Sequence, residues 1–232
     1  MADTQQLSGQ PGKKKKVSPF EARGFTGGVY SLLHDLCCIL AAVTFVFIFF
    51  ARIVGVSGSS MYPTLVGGEE KTYARDGDFL ILKSNFLCGG YRTGDIVVAC
   101  TPQFEDWKPI VKRVIGGPGQ TVEFHKDETG SLRVYVDGTV LEEPYINRSP
   151  AENPPMKETI YAGDGYSITV PDGCYFLMGD NRNHSFDSRV DQLGVVDERY
   201  IVGKALWIAV PGVDRTAGNK RDWSRLGDVY DN

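Results

Sequence analysis

Hydrophobic and polar positions divide this 232-residue chain into three regimes. The first 29 residues are polar and basic, an apolar stretch follows, and from residue 57 onward short apolar runs alternate with turn residues. The densest apolar part, Leu36 to Val56, reads LCCILAAVTFVFIFFARIVGV and is interrupted only by Arg52. As a helix these residues rise roughly 31 Å, the thickness of a bilayer's hydrocarbon core. Residues 30–56 are therefore expected to form one transmembrane anchor helix, with Arg52 near its distal end reaching toward the headgroups. A cleaved signal peptide would have a shorter apolar core followed by an Ala-x-Ala-like site, and the chain has neither pattern here. The run Lys13–Lys16 precedes the span, so the positive-inside rule places residues 1–29 in the cytoplasm and the body outside.

Within the body, period-two runs predict strands at Phe79–Leu82, Ile96–Ala99, Ile110–Ile115, Thr121–Phe124, Leu132–Val136, Ser167–Val170, Tyr175–Met178 and Val202–Val210. Asp137-Gly138 between Val136 and Val140-Leu141 has the composition of a two-residue hairpin turn. No sustained helical period follows residue 60. The fold class expected is mainly β, an antiparallel β-sheet catalytic domain over 57–211 with one N-terminal transmembrane helix. Residues 143–160, rich in Pro, Asn and Glu, read as a long surface loop, and 212–232 as a polar, loosely held C-terminal tail.

Net charge is -4, which offers no basis for nucleic-acid binding. Cys37 and Cys38 fall in the span and read as small apolar residues. Cys88, Cys100 and Cys174 fall in the body; a Cys88–Cys100 bridge is compatible with an oxidising space, but sequence does not establish it. No residues have the spacing of a zinc site, and no organic cofactor is implied.

Chemistry concentrates in three clusters. Just past the apolar stretch stands Gly58-Ser59-Ser60-Met61-Tyr62-Pro63-Thr64-Leu65, in which Ser60 is a candidate nucleophile. Gly58 permits close approach and Pro63 restricts the backbone. A substrate strand could add along residues 55–59, placing its carbonyl at Ser60. The second cluster is Lys112-Arg113-Val114-Ile115-Gly116-Gly117-Pro118-Gly119, and the third Gly179-Asp180-Asn181-Arg182-Asn183-His184-Ser185-Phe186-Asp187-Ser188-Arg189.

Two bases compete for the Ser60 proton. His184 with Asp187 would complete a Ser-His-Asp triad, whose members are set by geometry rather than chain order. Lys112 is the other, at the end of an apolar run. A lysine at its ordinary pKa is neutral about once in a thousand at pH 7.4, and most strand lysines are simply solvated cations. Desolvation by about three units would make it a competent base, and Ser185 would orient the amine by accepting its hydrogen bond. Asp180, Asp187, Arg189 and Arg113 read as ion-pairing residues that structure the site, with Asp187 expected to pair with both Arg189 and Arg113.

Taken together, these clusters resemble the type I signal peptidases, Ser/Lys proteases that remove signal peptides from exported proteins. The resemblance runs from about residue 30 to 211. It rests on S-M-x-P-T-L at Ser60–Leu65, G-D-I-V-V at Gly94–Val98, K-R-V-I-G at Lys112–Gly116, G-D-N-R-x-x-S-x-D-S-R at Gly179–Arg189 and the closing Gly203-Lys204-Ala205. The single anchor is similar to Gram-positive forms. The resemblance implies the signal-peptidase/repressor-type Ser/Lys fold, with Ser60 as nucleophile, Lys112 as general base and Ser185 as its orienting partner. The Ser60 N–H would donate to the oxyanion. Where part of the family has a second donor serine, this chain has Gly58, which leaves the backbone, Ser57 or Ser59 to supply it. Gly117 and Gln120 are two further departures.

By the same analogy, pockets for small substrate residues of an Ala-x-Ala site would be lined by Val56, Met61, Leu65, Ile110 and Val111, with Gly58 and Ser59 along the substrate strand. The partners implied are signal-peptide-bearing precursors, membrane lipid and a nearby translocon, with no nucleic acid. The location implied is a cell membrane, crossed once, with the catalytic domain extracytoplasmic. Phe104 and Trp107 are candidate lipid contacts at the rim. Self-cleaving repressors share the dyad but lack such an anchor, and a non-enzymatic tethered β domain would tolerate loss of Ser60 and Lys112.

Overall fold

A computed structural model describes residues 25–69, 76–104, 107–215 and 218–230. The basic run Lys13–Lys16 lies outside the described residues. The chain divides into two units, 1–45 and 46–232. Helix α1 spans Phe25–Phe49, and its stretch Gly27–Phe49 is long and apolar enough to cross a membrane, its most apolar window exposed throughout.

The expected span extends too far at its C-terminal end. Ala51–Gly55 is strand β1, paired antiparallel with β2 (Phe79–Ser84), Ile53 facing Ile81. The apolar character of residues 51–56 therefore serves a sheet, where β-branched Ile53 and Val54 fit well. Arg52 lies in this strand, opposite Leu82. The β unit thus begins before residue 57.

The other strands follow the alternation closely: β3 (Ile96–Ala99), β4 (Ile110–Gly116), β5 (Thr121–Lys126), β6 (Leu132–Val136), β7 (Thr139–Val140), β8 (Tyr166–Thr169), β9 (Cys174–Met178), β10 (Val196–Asp197) and β11 (Ile201–Val210). One antiparallel sheet runs β1-β2-β11-β3-β4-β9-β10 and a second runs β7-β6-β5-β8. Asp137 and Gly138 both have positive φ, 52° and 74°, as the tight β6–β7 turn demands. Gln120 closes the turn before β5: its Oε1 accepts from Gly117 N at 2.9 Å and its Nε2 donates to Asp137 at 3.0 Å.

Val56, Met61, Leu65, Leu80, Leu82, Ile96, Val98, Val111, Ala205 and Ile208 make one core beneath the turn that carries Ser60. A second core lies under the smaller sheet, around Phe124, Phe176 and Met178. Burying each such side chain stabilises by about 1.5–3 kcal/mol. Cys88, Cys100 and Cys174 are all unbridged thiols.

Two segments read as loose are held down. In the 143–160 loop, Glu143, Ile146, Asn147 and Met156 are buried, because Glu143 pairs with the equally buried Arg182. The expected C-terminal tail is also packed: β12 (Val213–Asp214) pairs with β13 (Lys220–Arg221), and β14 (Gly227–Asp228) adds to β11. Val229 is fully buried in the first core. Polar composition hid this segment because its attachments are hydrogen bonds and ion pairs.

Candidate active site

Lys112 sits mid-strand in β4, opposite Val97 of β3, and is almost wholly buried. Ser60 begins a single turn closed by Leu65 N to Met61 O at 2.9 Å. The two meet: Lys112 Nζ donates to Ser60 Oγ at 2.7 Å. Burial lowers the Lys112 pKa to about 8, with Asp187 acting in the opposite sense and Arg189 adding to the lowering. At pH 7.4 about a fifth of such amines are neutral, against about one in a thousand for a free lysine.

The Gly179–Arg189 loop clamps the Ser60 turn. Asn181 N donates to Ser60 O at 3.0 Å, and Asn181 Nδ2 to Ser59 O at 3.0 Å. Asp180 accepts from Thr64 Oγ1 at 2.6 Å and takes both Arg113 Nε and Nη2, at 2.9 and 2.6 Å. The expected Asp187–Arg113 pair is thus replaced: Arg113 binds Asp180, and Asp187 is held by Arg189 Nε and Nη2, each at 2.8 Å, and by Gly179 N at 3.0 Å. Burial pushes the Asp187 carboxyl up, but Arg189 outweighs it, and the pKa falls below the usual carboxylate range.

Ser185 Oγ is buried beside the Asp187 carboxylate, whose pKa it helps to lower, and the hydrogen bond that Lys112 makes goes to Ser60. His184 does not join Asp187; its ring is half-exposed and meets Glu152 Oε1 at 2.9 Å. Among the described residues no Ser-His-Asp triad is assembled.

Ser60 and Lys112 open onto a cleft of about 650 Å³. Val56, Gly58, Ser59, Met61, Ile110 and Val111 line it, as does Phe104, expected at a membrane rim, whose ring lies 5.5 Å from that of Phe186. Leu65 does not line it; fully buried, it packs in the core below. Sequence reasoning missed Lys108, Phe186 and the Glu69–Arg215 ion pair on the cleft wall. Arg182, one of the charges of the third cluster, braces it: its Nε donates to Gly179 O at 3.0 Å.

A buried lysine joined to a serine beside an open cleft is the arrangement of a Ser/Lys hydrolase. A sequence profile of the family described as "Signal peptidase, peptidase S26" matches residues 30–210. The chain belongs to this family. Signal peptidase I of Bacillus licheniformis is 36% identical over 180 residues, covering 76% of this chain and 84% of that protein. Signal peptidase I T of Bacillus subtilis is 38% identical over 157 residues, 67% of this chain and 72% of the relative. The crystal structure of a signal peptidase I from Enterococcus faecalis aligns at 32% identity with a TM-score of 0.38, covering 50% of this chain and 96% of that one. S26 membership makes this chain a serine peptidase, and its match ends at residue 210, before the packed C-terminal segment.

Proposed function

We propose that the protein is a membrane-bound signal peptidase that cuts precursor proteins after an Ala-x-Ala-like site. The observation that carries this reading is the 2.7 Å contact between Lys112 Nζ and Ser60 Oγ at the cleft wall. In its neutral form Lys112 accepts the Ser60 proton as Oγ attacks the scissile carbonyl, and Lys112 then protonates the leaving amine. A water deprotonated by Lys112 attacks the acyl-enzyme and regenerates Ser60. Ser60 N–H, which has no partner among the described residues, donates to the oxyanion. Ser185 Oγ, buried nearby, accepts a second hydrogen bond from Lys112 when the lysine is protonated.

The substrate strand lies along residues 55–59, with small side chains against Val56, Met61, Ile110 and Val111. Helix α1 crosses a cell membrane with the β unit extracytoplasmic, near a translocon, and exposed Trp107 contacts lipid. Cleavage of an Ala-x-Ala precursor in detergent tests the reading. Activity abolished by Ser60→Ala and Lys112→Ala but kept by His184→Ala supports it; cleavage surviving Lys112→Ala overturns the dyad.

A further inference from the structure

The C-terminal segment past residue 210 lies outside the family match yet reaches the turn that carries Ser60. Its attachment centres on Arg225. Arg225 Nη2 donates to Thr64 O at 2.8 Å, and the guanidinium also grips Asp78, with Nη1 to Oδ1 at 3.1 Å and Nη2 to Oδ2 at 2.9 Å. Asp78 is fully buried and additionally accepts from Val66 N at 2.8 Å and Gly212 N at 2.5 Å. Arg225 therefore neutralises a buried carboxylate that ties three parts of the chain together.

Thr64 is the link to the chemistry. Its carbonyl receives Arg225, while its hydroxyl donates to Asp180 at 2.6 Å. Asp180 in turn holds Arg113, the neighbour of Lys112 on β4. One chain of hydrogen bonds thus runs from Arg225 through the nucleophile turn to the strand of the base. The segment is anchored on its far side by Val229 in the core with Met61 and Leu65, and by Tyr230 Oη, which accepts from Ile96 N at 2.9 Å and donates to Ala205 O at 3.1 Å.

We propose that Arg225 is a positioning residue for the Ser60–Lys112 pair, making the C-terminal segment part of the catalytic unit. This rests on the dyad reading above. Arg225 touches neither substrate nor the reacting atoms; it fixes the carbonyl end of the turn whose start is Ser60. A small displacement there lowers the rate of attack more than it weakens substrate binding, since reacting groups must be held to within a fraction of an ångström.

The test is steady-state cleavage of an Ala-x-Ala precursor by the full chain in detergent, with melting temperatures alongside. Arg225→Ala is expected to lower kcat about tenfold or more with KM nearly unchanged. Arg225→Lys, which keeps the charge but loses the planar fork that meets Thr64 O and both Asp78 oxygens, is expected to fall between. Val134→Ala destabilises the second core, away from this segment, by packing alone and is expected to lower Tm while keeping kcat. Wild-type kcat in Arg225→Ala overturns the proposal, as does an equal kcat loss in Val134→Ala. Should Arg225→Ala not fold, Arg225→Lys decides, with a kcat loss of about threefold supporting the role and unchanged kcat overturning it. Ser60→Ala and Lys112→Ala separate the two readings: if either still cuts, the dyad fails; if both are dead while Arg225→Ala keeps full kcat, only the positioning role fails.

Discussion

Gly179 stands so close to Ser60 that a Cβ on it would lie 2.4 Å from the Ser60 carbonyl oxygen and 2.3 Å from Ser185 Oγ. The glycine lets the third motif press against the nucleophile turn, where Asn181 secures both the Ser59 and Ser60 carbonyls. Gly179→Ala is therefore expected to push the turn away from Lys112 and lower kcat/KM by about a hundredfold. Precursor cleavage measures this; an alanine variant of near wild-type activity would show that the contact yields without moving Ser60.

The lowered Lys112 pKa sets the pH dependence. As the proposed base, Lys112 accepts the Ser60 proton only when neutral, so kcat/KM should rise with pH through about 8 and level off above it. Without burial the rise would run on toward the ordinary lysine range near 10.4. A pH series of kcat/KM locates the midpoint, and a midpoint near 6.5 would instead indicate a histidine.

Burial of the Arg182–Glu143 pair makes a stability prediction. Both side chains are nearly inaccessible, and Arg182 also braces Gly179 O. Glu143→Ala leaves the guanidinium buried without its carboxylate, at a cost of about 3–5 kcal/mol. Thermal unfolding should show a clearly lower Tm, and Glu143→Gln, which keeps an acceptor oxygen, should lose less. Equal Tm values for wild type and Glu143→Ala would mean that the pair contributes nothing net.

These relationships differ in how far sequence exposes them. The strands of the body were legible because alternation records directly which side chain faces the core, as Leu80 and Leu82 do in β2. Strand β1 was not, since Arg52–Val56 continues the apolar composition of the helix and only pairing with β2 distinguishes it. Ser60 and Lys112 could be named from their motifs, but their contact spans 52 positions and depends on sheet register. The partner of Arg113 was misassigned because Asp180 and Asp187 are equivalent in composition, and only the loop path brings Asp180 to it. The role of Arg225 was invisible for a related reason: Asp78 lies 147 positions away in an unremarkable polar turn.

Lys112 also makes a prediction about stability that carries the opposite sign from its catalytic value. Its folded pKa of about 8 lies below that of an unfolded lysine, so the unfolded chain binds more protons between pH 8 and about 10.4. Stability from this group therefore rises with pH across that window, and below pH 8 its full burden of about 3 kcal/mol weighs on the fold. Lys112→Met retains an unbranched side chain of similar length and removes the charge, giving up the contact with Ser60 Oγ. The variant is expected to be inactive yet more stable at pH 7 by about 1–3 kcal/mol, raising Tm by roughly 2–4 °C per kcal/mol. The difference from wild type should shrink as pH climbs from 8 toward 10.4. Paired melting curves at pH 7 and pH 10 measure both effects, and a Lys112→Met protein less stable than wild type at pH 7 would show that the lysine is not buried as an unfavourable charge.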